Sequence, residues 1–267
     1  ILKVSKAIFL TILLMVIWYI PQLGLVGLLK YTNVISDGIR EHTYAILILG
    51  SLVSYLVIFH FYWKPRPNYK SISDIKNIDT SLFPYLFLIV IGMGFVSQPI
   101  FDFEKIIDFY NTSEVKSTSH KFAGISTLFV YFRFSSLFIA PLFEELFFRK
   151  FLFTKLLEYN KVWLSVIISS LCFSAIHFET PYNLLPTFIY GVIACIIYMK
   201  TKNICYLIII HFMYNLVAML YSVYGEHFYN WVYDQNYRFM YWALFVFGIL
   251  LTALGLEKIT SAKISMK

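Results

Sequence analysis

The chain reads as an all-α membrane protein, a polytopic bundle of about eight transmembrane helices. Three observations carry that reading. Apolar residues make up 59% of the 267-residue chain and charged residues 14%, with a mean hydropathy of +0.70, outside the soluble range. Eight apolar runs recur at about 7–29, 44–63, 82–100, 123–157, 163–178, 184–200, 204–222 and 240–256, most of them near the ~20 residues a spanning helix needs. The basic residues between those runs fall mainly on alternate connections.

The first run follows Lys3 and Lys6 and has no small-residue cleavage site, so an uncleaved span is expected rather than a signal peptide. The second ends in Phe59-His60-Phe61-Tyr62-Trp63, an aromatic belt in which His60 reads as an interfacial anchor. The third lies between the polar stretches 64–81 and 101–122, each too short for a domain and neither carrying a motif. The fourth and longest holds Arg133, Pro141, Glu144, Glu145 and Arg149, and the proline should kink it. The fifth closes at His177, with Glu179 and Pro181 marking its end. The sixth and seventh meet at a short turn around Lys202, and the eighth follows an aromatic connection containing Tyr229, Trp231 and Asp234. One integrated membrane domain results: 1–122 holds the first three helices, 123–222 the core and 223–267 the last helix and tail.

Fifteen Lys and Arg flank the spans on the N-terminal side of the membrane and six on the other, with Arg133 inside a span. The positive-inside bias then puts both termini in the cytoplasm of a multi-pass cell-membrane protein. The net charge of +7 belongs to that bias. No basic-aromatic patch on a soluble module supports nucleic-acid binding. Cys172, Cys195 and Cys205 lie in apolar runs without C-x-x-C spacing, so neither a disulfide framework nor a zinc knuckle is indicated. Oligomeric state is not legible.

The costly residues are the polar ones at bilayer depth, since one ionised side chain there costs roughly 3 kcal/mol and usually faces a cavity or a partner. Glu145 and Arg149 are spaced i, i+4 with the acid first, the better order for a helical ion pair. Glu144 is turned about 100° away, so one carboxylate can be neutralised while its neighbour stays free. Phe173 and His177 share a face of the next span, as do His211 and Asn215 two spans later. Each has a bland reading, as an interfacial histidine and as an interhelical hydrogen-bonding pair respectively. Depth connects them. From Asn160, Glu144 and His177 lie ~24 Å and ~26 Å along antiparallel helices, and from Lys202, His211 and Asn215 lie ~14 Å and ~20 Å in. These depths agree if the Lys150–Asn160 hairpin projects roughly 10 Å beyond the bilayer. Glu144, His177 and His211 also have the donor types of a two-histidine, one-carboxylate zinc site, although an H-E-x-x-H helix is missing.

The series Glu144-Glu145-x-x-x-Arg149, Phe173-x-x-x-His177, His211-x-x-x-Asn215 resembles the CPBP family: CAAX-type prenyl-protein endopeptidases and bacteriocin-processing or Abi-type intramembrane proteases. The resemblance covers about 124–222. It implies peptide-bond hydrolysis in the membrane without a cofactor. Glu144 would activate water that His177 helps hold, His211 and Asn215 would stabilise the oxyanion, and Glu145 with Arg149 would support them. The implied partners are membrane lipid and a peptide or protein substrate, lipidated or a small secreted peptide. The alternative is a non-catalytic bacteriocin-immunity or regulatory scaffold protein of the same family. A transporter reading lacks the paired, Gly/Pro-broken half-helices that such folds show.

Overall fold

The computed structural model describes residues 3–31, 37–64, 78–112, 124–234 and 237–262. The expected connection 64–81 lies mostly outside the described residues. Every regular element among them is helical: α1 (Val4–Tyr31), α2 (Asp37–Tyr62), α3 (Phe83–Phe101), α4 (Phe103–Thr112), α5 (Thr127–Leu157), α6 (Val162–Ala175), α7 (Leu184–Thr201), α8 (Ile204–Tyr224), α9 (Glu226–Asp234) and α10 (Phe239–Ser261). Five stretches of the described chain are long and apolar enough to cross a membrane: Thr80–Phe101, Thr127–Leu157, Pro181–Thr201, Ile204–Tyr224 and Phe239–Ser261. The other three expected spans coincide with the shorter apolar stretches Val4–Ile20, Ile48–Tyr62 and Val162–Ala175. The chain is a multi-pass helical membrane bundle.

Three seams set the helix positions. Between α3 and α10 the backbones touch: a Cβ at Gly248 would sit 2.7 Å from the Gly92 carbonyl, and one at Gly255 2.7 Å from the Tyr85 carbonyl. Helix association in lipid depends on such close packing rather than on a hydrophobic drive, and glycine permits it. Between α2 and α5 an aromatic ladder forms at i, i+4, i+8 on both helices. Tyr55 meets Phe143 and Phe147, with ring centroids 5.6 and 6.1 Å away, and Trp63 meets Phe151 at 5.4 Å. That ladder occupies one side of α5 and leaves another for the acid pair. Along α6 runs a buried serine stripe. Ser169 Oγ donates to the Phe148 carbonyl of α5 at 3.0 Å, and Ser174 Oγ to the Leu184 carbonyl of α7 at 2.6 Å. Small side chains allow the approach, and each hydroxyl satisfies a carbonyl.

Two helices depart from the sequence reading, which left 101–122 and the segment before α10 as connections. α4 and α9 are short and amphipathic. Ile106 and Phe109 of α4 pack with Phe228 and Val232 of α9 and with Tyr237, Tyr241 and Leu244 into a second, small core. Glu104, Lys105 and Asp108 interrupt the apolar positions of α4, so a hydropathy window reads it as polar while the 3.6-residue period still gives it an apolar face. Asp102, 1% exposed, ties the layer to the bundle by accepting from Tyr241 Oη at 2.9 Å and Gln98 Nε2 at 2.8 Å.

Candidate active site

The site begins with a local failure of α-helical bonding in α5. Proline at 141 has no N–H and its ring clashes with the carbonyl four residues back. The helix responds by widening: Ser135–Ile139 is a π turn in which the Ala140 N–H reaches the Ser135 carbonyl. In that register the donor for the Ser136 carbonyl would be residue 141, which has none to give. Asn215 of α8 supplies it, its Nδ2 donating to the Ser136 carbonyl at 2.6 Å. The expected kink at Pro141 is thus a π bulge, a form that often marks functional sites. A second π segment, Leu146–Phe153, follows the acid pair.

Glu144 and Glu145 leave the helix in different directions, as adjacent helical residues must. Glu145 points into the protein and is fully buried together with Arg149. Its Oε1 accepts from three donors: Arg149 Nη1 at 3.2 Å, Tyr190 Oη at 3.1 Å and His211 Nδ1 at 2.9 Å. The Arg149 guanidinium also lies 4.1 Å from the centre of the Phe173 ring, a cation–π contact that shields a charge which cannot reach water. Because an ionised carboxylate only accepts, the His211 proton on this side sits on Nδ1. Nε2 is left to face the other acid.

Glu144 faces a cavity of about 490 Å³, a size usual for small-ligand sites. Its Oε2 is buried without a hydrogen-bond partner among the described residues and lies 4.0 Å from His211 Nε2. His177, in the turn after α6, lines the same cavity. Its Nδ1 is 3.0 Å from the Phe173 carbonyl and its ring centroid is 5.1 Å from that of Phe173. A carbonyl can only accept, so His177 Nδ1 carries the proton and Nε2 presents a lone pair. Asn215 lines the cavity too, with one amide N–H committed to Ser136 and a second still available.

Four of the six candidate residues, Glu144, His177, His211 and Asn215, therefore meet at one cavity, and Glu145 and Arg149 stand directly behind it. Among the described residues, no group of three or more His, Cys, Asp and Glu side chains is arranged to hold a metal ion. Tyr190 escaped the sequence reading because one tyrosine among 21 carries no motif. Its only signal was a hydroxyl in an apolar helix, where a buried phenol needs a partner.

The family model described as type II CAAX prenyl endopeptidase Rce1-like covers residues 126–217, from the first turn of α5 into α8. No curated protein and no solved structure matches the chain.

Proposed function

From the premise that residues 126–217 are of the CAAX membrane-protease type, we propose that this chain is an intramembrane endopeptidase acting through a water molecule activated by Glu144. The observation that supports it is the unequal treatment of two adjacent acids. Three donors hold Glu145 in place, while Glu144 lines a cavity shared with two imidazoles and lies 4.0 Å from that of His211. A general base needs an oriented neighbour and room for its substrate, and Glu144 has both.

In the proposed step, Glu144 takes a proton from a water held also by the His177 Nε2 lone pair, and the hydroxide attacks the scissile carbonyl carbon. The resulting oxyanion accepts from the free Asn215 N–H and from Nε2–H of doubly protonated His211, whose charge faces the Glu145 carboxylate. Glu144 then returns the proton to the amide nitrogen, the C–N bond breaks, and an acid and an amine leave. Each positioned oxyanion donor lowers the barrier by about 3 kcal/mol. The step uses only the chain's own groups. The substrate is a membrane-borne or lipidated peptide. The positive-inside bias supports putting both termini in the cytoplasm, with the 176–183 connection on the opposite face.

The test uses purified full-length protein in liposomes and a peptide library read by mass spectrometry. Wild type should cleave, while Glu144→Gln should lose at least about 10²–10⁴-fold in rate, the usual worth of a general base. Full turnover by Glu144→Gln would overturn the mechanism.

A further inference from the structure

The cavity has a second carboxylate that the proposed chemistry leaves unused. Glu179 sits in the connection between α6 and α7, two residues beyond His177, and lines the same cavity at an exposed position. A solvated rim acid would ordinarily need no explanation, but three observations set this one apart.

First, its placement is fixed. Thr180 N and Oγ1 both donate to the His177 carbonyl, at 3.1 and 3.2 Å, and Asn183 N donates to the Thr180 carbonyl at 2.8 Å. Tyr19 of α1 lines the same cavity and packs edge-on against Phe178, the residue before Glu179, with ring centroids 5.4 Å apart. The turn that carries Glu179 is thus fixed by two separate parts of the chain.

Second, no lysine or arginine offsets it among the described residues. No Lys or Arg is among the described residues lining the cavity, and Glu179 has no ion-pair partner among the described residues. The two arginines nearest in sequence to the lining positions are already engaged. Arg149 bonds Glu145 behind the cavity. Arg133 donates to Ser222 Oγ at 2.7 Å and lies over the rings of Phe129 and Phe132. Third, the cavity that holds both acids also carries Ser51, Ser135, Ser136, Asn183 and Asn215 among its apolar lining, so a peptide entering it would meet hydrogen-bonding groups as well as apolar surface.

We propose that Glu179 is a specificity determinant that selects substrates carrying a cationic side chain or amine close to the bond cut at Glu144. This rests on the endopeptidase reading of the same cavity. Opposite charges at the partly desolvated mouth attract, and an acidic residue placed there would face both Glu179 and Glu144.

The test compares peptides differing at one position, Lys, Gln or Glu, offered to full-length protein in phosphatidylcholine liposomes, whose zwitterionic surface does not itself concentrate cations. For wild type, kcat/KM should favour Lys over Glu by at least about tenfold, with the ratio shrinking as salt rises. Glu179→Gln should remove the preference and Glu179→Lys should reverse it. The same peptides are also titrated onto Glu144→Gln, which binds without cleaving. Cleavage by wild type with no charge preference overturns the specificity proposal alone. Charge-selective binding without cleavage by wild type overturns the endopeptidase reading and leaves the cation site. Neither cleavage nor selective binding overturns both.

Discussion

At the scale of single residues, the site is organised around one oxygen atom, Glu145 Oε1, on which Arg149, Tyr190 and His211 converge. Removing one member of a buried ion pair leaves the other charge uncompensated and costs about 3–5 kcal/mol. Arg149→Met should therefore lower thermal stability by that order, measured by fluorescence-detected unfolding in detergent. The double variant Glu145→Gln/Arg149→Met should recover much of the loss. If the double variant is no more stable than Arg149→Met, the pair is not what holds this region together. Tyr190→Phe removes only a hydroxyl and should cost about 0.5–1.5 kcal/mol, while lowering kcat more than it changes KM, because it loosens the carboxylate that orients His211. The Glu145–Arg149 pairing could be read directly from its i, i+4 spacing, as could the Phe173–His177 contact. Tyr190 could not, since its partner lies 45 residues away. Glu179 was legible only as the end of a span, because nothing local says that it shares a cavity with Glu144.

At the scale of elements, the proline bulge in α5 and the Asn215 side chain of α8 form a single unit. Pro141 withholds a donor and Asn215 replaces it. Asn215→Ala should strand the Ser136 carbonyl at a cost of roughly 1–3 kcal/mol. In a Pro141→Ala background, residue 141 regains its N–H and the same truncation should cost clearly less. Equal costs in both backgrounds would show that the asparagine does not serve the bulge. Cleavage should stay low in both, since the proposed oxyanion donor is gone either way. The α3–α10 seam gives a separate prediction. Gly248→Leu places atoms where the Gly92 carbonyl stands and should destabilise by about 1–3 kcal/mol, seen as a lower unfolding temperature. Helix identity and approximate ends were legible from hydropathy. The α4 and α9 helices were not, because their apolar faces are narrow and interrupted by charge. The glycine seam was also hidden, since a glycine's partner is a matter of three dimensions.

At the scale of the molecule, the expected arrangement places the Lys155–Glu158 end of the bundle in the cytoplasm and the 176–183 connection outside. A single cysteine at Glu158 should react with impermeant maleimide only after cells are opened, and one at exposed Tyr182 in intact cells. The reverse pattern would invert the bundle without disturbing the site. The cavity itself has a divided origin. Glu144, His177, His211 and Asn215 all come from the stretch that matches the protease family. Trp18, Tyr19, Ile48 and Ser51, which line it too, come from α1 and α2, outside that stretch. The lining is thus written in two parts of the gene, while the proposed machinery and Glu179 lie in only one of them. Under the proposed reading, chimeras that exchange the first two helices between relatives should alter which peptide shapes are cut while keeping the recipient's chemistry and its charge preference.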